Sequence, residues 1–156
     1  HIADRNKKGI VILVNKWDLI DKSTVTAKKA EEQIKKKIAP FTDVPIVFVS
    51  ALERQRLLKG LEVAIQVHKN RVQKISTSTL NDVMLPLIDH VPPPAIKGKY
   101  IRIKYCTQLP TGTPTFVFFA NLPQYIKESY KRYIENKLRE YFNFSGVPIQ
   151  IYFRKK

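Results

Sequence analysis

Residues 9–18, Gly-Ile-Val-Ile-Leu-Val-Asn-Lys-Trp-Asp, decide the fold of the first half of the chain. The apolar and mainly β-branched run over residues 9–14 predicts a strand that is buried on both faces, as in a parallel sheet. Residues 45–49 have the same character, and alanine and isoleucine recur at helical spacing between the two runs. A second apolar helical pattern begins at Leu57. The first half therefore predicts a β-α-β-α order around a parallel sheet.

Two helices are predicted in this half. Ser23 or Thr24 can cap the first helix, and Glu31 lies four residues before Lys35, a spacing that favours an ion pair. The second helix carries one stripe, which consists of Leu57, Leu58, Leu61, Ala64, Ile65 and His68.

The second half has a different pattern, and the polar stretch 73–78 marks the boundary. Residues 1–72 are thus predicted to be one domain and residues 73–156 another. The predicted order of the second domain is α-β-β-α-β, in which a strand of alternating apolar and polar residues and a fully apolar partner strand form an antiparallel hairpin. Its predicted elements are a helix over 79–88, strands over 99–106 and 115–120, a helix over 125–142 and a strand over 149–153.

Composition limits the class of protein. The chain has 156 residues, 28 Lys and Arg against 13 Asp and Glu, and a net charge of +15. Its 44% hydrophobic residues exclude a disordered tail, and the absence of a long apolar run excludes an integral membrane protein. The single cysteine, Cys106, is predicted to be a small buried residue in a reducing cytoplasm. Because the sequence begins with His1 rather than methionine, we expect further chain upstream.

Asn15, Lys16 and Asp18 follow directly after the first predicted strand. Ligands of parallel sheets bind at this carboxyl edge. The Asp18 carboxylate can accept two parallel hydrogen bonds from N1–H and the N2 amine of guanine, a donor pair that adenine lacks. Asn15 can hold the base edge and bind across to a neighbouring loop, and the stem of Lys16 can lie on a purine ring. The alternative is an ordinary strand-to-turn exit, which Asn and Asp also favour.

Ser50, Ala51 and Leu52 follow the next strand of the same sheet. The backbone N–H of Ala51 is predicted to reach the guanine carbonyl oxygen. Together the two motifs resemble the NKxD and SAx motifs in the guanine-recognition half of P-loop GTPases. Where these GTPases commonly carry a glycine-rich turn, this chain has residues 53–56, Glu-Arg-Gln-Arg.

The glycine pattern contains no phosphate cradle of the form G-x-x-x-x-G-K-[ST] and no Asp-x-x-Gly turn for magnesium and the γ-phosphate. We therefore expect no catalytic residue, no metal ligand and no GTP hydrolysis by this segment alone. The resemblance implies GTP or GDP as the ligand of the parent protein, with Mg²⁺ bound by residues upstream.

The second half is similar to the KH-like C-terminal domain of the EngA (Der) family, bacterial GTPases with two tandem G domains. The matching motifs are residues 76–81, 98–100, 105–108, 114–117, 129–136, 138–139, 142 and 146–149. The resemblance implies that residues 1–72 are the end of the second G domain. It also implies a role in assembly of the large ribosomal subunit, with that subunit, its rRNA and the protein's own G domains as partners and no DNA or membrane.

The second half lacks the G-x-x-G loop through which KH domains clamp single-stranded RNA. Its basic residues are candidates for contact with rRNA phosphates, against the alternative of a solvated basic face. In a further alternative, the KH-like domain is an intramolecular protein-interaction module that reports the nucleotide state. Tyr125, Tyr130, Tyr133 and Tyr141 are predicted to be core residues. The basic candidates are Lys99, Arg102, Lys104, Lys127, Lys131, Arg132, Lys137, Arg139 and Arg154.

Overall fold

The chain forms two compact units in the computed structural model, which describes residues 2–21, 26–96 and 98–155. The first unit comprises His1–Arg71 and Phe144–Pro148, and the second comprises Val72–Asn143 and Ile149–Lys156. Residues 73–156 were predicted to form one domain. The structure differs, because the short segment between the last helix and the last strand packs with the first unit.

The first unit has the predicted β-α-β-α order, preceded by a short helix. Its two strands pair in parallel, with Leu13 opposite Val47. This confirms the parallel sheet. The elements are helix α1 (Ile2–Arg5), strand β1 (Ile12–Val14), helix α2 (Ala27–Ile38), strand β2 (Ile46–Phe48) and helix α3 (Leu57–Val72).

Helix α2 begins with a threonine cap. The side chain of Thr26 accepts a hydrogen bond from the N–H of Lys29 at 3.3 Å. The predicted cap residues Ser23 and Thr24 lie outside the described residues. One turn further along, Lys35 and Glu31 form the predicted ion pair at 2.6 Å.

The predicted burial of β1 is wrong in part. Leu13 is 54% exposed, because the two-stranded sheet leaves this side chain without a full cover among the described residues. On α3 the apolar stripe faces outward, with Leu58 and Leu61 both exposed, whereas the buried positions are Gly60, Val67 and Asn70.

The segment Phe144–Pro148 completes the first unit through backbone hydrogen bonds. Gly146 donates to the carbonyl of Asp43 at 2.8 Å and accepts from the N–H of Ile10 at 2.7 Å. Its φ of +77° favours glycine, and a Cβ there would lie 2.6 Å from Val67 and 2.8 Å from the Ile10 oxygen. Glycine is therefore required at this position for two independent reasons.

The second unit has the predicted α-β-β-α-β order, which confirms the fold class. Its sheet has the order β3-β4-β5, with β3 and β4 antiparallel and β4 and β5 parallel. The elements are helix α4 (Thr77–His90), strands β3 (Ile103–Gln108) and β4 (Thr115–Ala120), helix α5 (Glu128–Tyr141) and strand β5 (Gln150–Lys155).

One face of this sheet packs against α4, because the Sγ atom of Cys106 lies 3.9 Å from the carbonyl oxygen of Leu80 on that helix. Phe118 is opposite Cys106 and shares its face. The fully buried core of the unit consists of Leu80, Met84, Cys106, Phe116, Phe118, Ile134 and Leu138.

The inward and outward positions of β3 depart from the predicted alternation. The register shifts between Ile103 and Tyr105, which is a β-bulge. Ile103 points inward, but after the bulge Cys106 takes the inward position and Tyr105 is exposed. Simple alternation had placed Tyr105 on the same face as Ile103.

Tyrosines of the last helix were predicted to be core residues, and the structure separates them. Tyr130 is buried and donates its hydroxyl hydrogen to the carbonyl of Val91 at 2.8 Å, while Tyr133 donates to Leu87 at 3.3 Å. Tyr141 is 51% exposed, so the prediction is wrong for that residue.

The carboxamide of Asn81 joins helix α4 to strand β3. Its Oδ1 atom accepts from the N–H of Cys106 at 2.9 Å, and its Nδ2 atom donates to the carbonyl of the same residue at 2.8 Å. Asn81 therefore pairs with β3 as a neighbouring strand would. A further bond from Nδ2 to the carbonyl of Thr77, at 2.6 Å, fixes the side chain to its own helix.

Cys106 itself is fully buried, as predicted, and burial raises the pKa of its thiol to about 12. The thiol is thus protonated and unreactive at neutral pH. No helix in the described ranges is both long enough and apolar enough to cross a membrane.

Replacement of Asn81 by alanine is expected to lower the free energy of unfolding by about 2–3 kcal/mol, because it leaves the Cys106 N–H and carbonyl without partners away from water. Asn136→Ala is the matched control, since Asn136 is exposed on α5. Urea unfolding followed by circular dichroism measures both variants. Equal stability of the two variants would show that the Asn81 pair does not stabilise the unit.

Candidate functional site

The motif Asn15 to Asp18 lies at the carboxyl end of β1, as predicted. The N–H of Trp17 donates to the carbonyl of Val49 at 3.1 Å, and the Trp17 ring lies 4.3 Å from that of Phe48. Lys16 has a φ of 60°, in the left-handed region that is uncommon for residues other than glycine. These contacts hold the exit from β1 against the exit from β2.

The side chain of Asn15 connects the two predicted motifs. Its Oδ1 atom accepts from the N–H of Ala51 at 3.0 Å and from the N–H of Lys16 at 2.8 Å. The predicted bond between Asn15 and a neighbouring loop is therefore present. The Ala51 N–H, which the sequence analysis directed at a guanine carbonyl, donates to Asn15 in the structure.

Asp18 carries a polar atom without a partner. Its Oδ1 atom is buried and forms no hydrogen bond in the described part of the chain. A buried carboxylate oxygen can only accept hydrogen bonds, and leaving it without a donor costs free energy. The position therefore suits a ligand that brings N–H donors to this oxygen.

The loop after β2 is held by Ser50, which is 1% exposed. Its hydroxyl oxygen accepts from the N–H of Glu53 at 3.2 Å, and its backbone forms two hydrogen bonds with Gln55. Arg54 and Arg56 have φ values of 52° and 57°. Two arginines thus adopt a left-handed backbone conformation, which glycine adopts most readily.

Leu52, the last residue of the second predicted motif, is 85% exposed and does not join the other site residues. Beside the site is a cavity of about 330 Å³. None of the predicted base-contacting side chains lines it. The lining residues are Trp17, Thr26, Ala27, Phe48, Val49, Gln55 and Arg56.

The predicted basic candidates divide into two groups. On α5, Arg139 lies 3.0 Å from Glu135 and Lys137 lies 2.7 Å from Glu140, and this hydrogen bond raises the pKa of Lys137. Lys131 is 3.8 Å from Glu128. The remaining candidates are all exposed and form no ion pair within the described ranges: Lys99, Arg102, Lys104, Lys127, Arg132 and Arg154.

Two exposed tyrosines of the sheet were missed by the sequence analysis. Tyr105 is 39% and Tyr152 is 47% exposed. The orientation of Tyr105 depends on the bulge in β3, which has no clear sequence signal. Tyr152 could have been found, because it alternates with the inward residues Ile151 and Phe153.

His, Cys, Asp and Glu side chains form no group of three or more that could hold a metal ion, as far as the described residues go.

A protein-family model described as the KH-domain-like, C-terminal domain of EngA bacterial GTPase enzymes matches residues 74–154. The chain belongs to the EngA family. Within that family it is similar to the GTPase Der of Flavobacterium johnsoniae, with 63% identity over 155 residues. It is also similar to the GTPase Der of Flavobacterium psychrophilum, with 60% identity, and to that of Amoebophilus asiaticus, with 52%.

Each of these alignments covers 99% of the chain but 36% of the EngA-family relative. The chain thus spans about a third of the length of the curated relatives. The family match at residues 74–154 falls almost entirely on the second unit, whereas the Asn15 and Asp18 motif lies in the first.

Replacement of Asn15 by alanine is expected to free the Ala51 N–H, because Asn15 Oδ1 is its acceptor in the structure. Amide hydrogen exchange at Ala51 should accelerate by about 10-fold or more, which corresponds to the loss of about one hydrogen bond. Asn6→Ala is the control, since the side chain of Asn6 donates to the carbonyl of Ile2 on the preceding helix and lies outside both loops. Unchanged exchange at Ala51 would contradict the connection between the two loops.

Proposed function

We propose that residues 1–72 form the end of a G domain and that Asn15, Lys16 and Asp18 recognise the guanine of GTP or GDP in a full-length EngA-family protein. The observation that carries this proposal is the buried, unpartnered Oδ1 atom of Asp18. Guanine offers two parallel N–H donors to one carboxylate, so the bound base satisfies an oxygen that otherwise has no partner.

The other residues of the motif have supporting roles. Asn15 fixes the loop after β2 beside the loop after β1 through the Ala51 N–H. The left-handed backbone at Lys16 is strained, and such strain is concentrated at functional sites. The aliphatic stem of Lys16 then lies against the purine ring. When the base is bound, the Ala51 N–H is shared with the guanine carbonyl or passes to it from Asn15.

The exposed apolar stripe of α3 supports the proposal that residues 1–72 are part of a larger domain. Leu58 is 76% and Leu61 is 63% exposed. A longer G domain would cover these side chains, and the curated relatives are almost three times as long as this chain. The phosphates, Mg²⁺ and the hydrolysis of GTP are assigned to that remaining part of the full-length protein.

We further propose that the KH-like domain contacts rRNA in the cytoplasm during assembly of the large ribosomal subunit. The net charge of +15 and the exposed, unpaired cations Arg102, Lys104 and Arg154 support this. The cations of α5 support it less, because several of them are already neutralised by glutamates of the same helix.

Asp18→Asn in the full-length protein is expected to weaken GTP binding by about 100-fold, because one bidentate, charge-assisted interaction is lost. The same variant should bind xanthosine triphosphate better than the parent does, since the amide complements the additional carbonyl of xanthine. Isothermal titration with both nucleotides measures this. Glu53→Gln, in the adjacent loop, should change neither affinity, and an unchanged guanine preference in Asp18→Asn would refute the assigned role.

The pair Arg102→Gln and Lys104→Gln is expected to weaken binding of the chain to large-subunit rRNA and to lower the salt slope of log K by about 0.7–0.9 for each lost phosphate contact. Arg139→Gln with Lys137→Gln is the charge-matched control. Because both of those side chains are paired with glutamates, the control should lower the slope less. Binding no stronger than that of an unrelated protein of equal charge would instead favour the protein-interaction role.

A further inference from the structure

One face of the sheet in the second unit carries exposed side chains in the described part of the chain. Cys106 and Phe118 point towards α4, so the side chains that alternate with them point the opposite way. Arg154 and Tyr105 both lie opposite Phe119, one on each neighbouring strand, and Tyr152 lies opposite Val117. These side chains, together with Lys104 at the bulge, are called the aromatic face.

On the aromatic face, exposed tyrosine rings of the two outer strands flank a buried residue of the central strand. Tyr105 and Tyr152 are both more than a third exposed, while Val117 between the outer strands is buried. The rings of Tyr105 and Phe119 are 5.7 Å apart and are tilted rather than stacked flat on each other. The tyrosine rings therefore remain accessible to a flat ligand. The buried residue of the central strand between them does not have to move when that ligand binds.

The charge of this face has one sign. Its cations are Lys104 and Arg154, and the three strands contain no Asp or Glu. Helix α5 differs, because three of its four cations, Lys131, Lys137 and Arg139, lie within ion-pair distance of glutamates of the same helix. A negatively charged ligand is thus favoured more at the sheet than at helix α5. The basic candidates predicted from the sequence, by contrast, lie mainly on and next to that helix.

Planar rings and unpaired cations on one surface suit one class of ligand. Unpaired nucleotides present a flat base for stacking and a phosphate for a cation at each step along the strand. Double-stranded RNA hides its bases, and an acidic peptide uses the cations but not the rings.

We propose that the aromatic face binds a short stretch of unpaired RNA, with bases stacked on Tyr105 and Tyr152 and phosphates bound by Lys104 and Arg154. This inference rests on the proposed contact with rRNA and names the element of RNA that is bound. Stacking of bases on the sheet would replace the contacts that a G-x-x-G loop makes in other KH domains, because stacking does not need a glycine loop to hold the RNA backbone.

The test measures binding of the 156-residue chain to a fluorescein-labelled oligonucleotide of about eight uridines by fluorescence anisotropy. Tyr105→Leu and Tyr152→Leu should each weaken binding by about 10-fold, since leucine retains apolar area but cannot stack. Tyr105→Phe should retain affinity. Tyr141→Leu is the matched control, because Tyr141 is similarly exposed but lies on α5, and it should bind as the parent does.

The salt series separates stacking from charge. The leucine variants should leave the slope unchanged, and Arg154→Gln should lower it by about 0.7. If the chain binds the oligonucleotide and Tyr105→Leu behaves as Tyr141→Leu does, stacking is refuted while RNA contact stands. If the parent chain does not bind, or binds an RNA duplex equally well, the proposed unpaired ligand is refuted.

Two further measurements cover the remaining outcomes. Upfield shifts of the Tyr105 and Tyr152 ring protons on addition of oligouridine to the unmodified chain support stacking without any substitution, and their absence opposes it. Polyglutamate that competes as strongly as the oligonucleotide at equal charge would identify an acidic peptide as the occupant and overturn the proposal.

Discussion

The carboxamide of Asn81 is the interaction on which the second unit depends. It fills both hydrogen-bonding positions of Cys106 on the edge of β3, so the edge is closed at that point and α4 is fixed in register with the sheet. Gln108 works in the opposite direction, since its side chain extends from β3 and bonds to the backbone of Gln73 and Ile75. Asn121 binds the backbone of residues 100 and 102, just before β3 begins. Carboxamides thus satisfy backbone groups before, along and beside β3 that no strand pairs with.

Asn15 uses the same chemistry in the first unit. Its oxygen draws together two loops that are 36 residues apart in sequence, and this places the exit from β2 beside the exit from β1. The loop itself contains two arginines in left-handed conformation, so its shape is maintained at a local conformational cost. The Oδ1 atom of Asn15 is thus bonded twice, whereas that of Asp18 has no partner among the described residues.

The order of strands and helices was predictable because long apolar runs and helical spacing are local properties of the sequence. Strand β4 and helix α5 illustrate this, since their patterns are unbroken. The exposure of Tyr105 was not predictable, because one extra residue in β3 reverses every later side chain. The partner of the Ala51 N–H and the pairing of α5 cations with glutamates depend on side-chain geometry, which spacing alone does not determine. The bond from Asn15 to a neighbouring loop was predictable, but its donor, the Ala51 N–H, was not, and the role of these residues in guanine binding stays a prediction.

The segment Phe144–Pro148 makes the first unit discontinuous in sequence. During synthesis, Gly146 emerges only after the whole of residues 72–143 has been made, and its bonds to Ile10 and Asp43 cannot form earlier. At about 5–20 residues per second, this delay is about 4–15 s. The first unit therefore lacks these backbone bonds until almost the whole chain has been made. Strand β5 of the second unit follows directly after Pro148, so the two units are completed within a few residues of each other rather than one after the other.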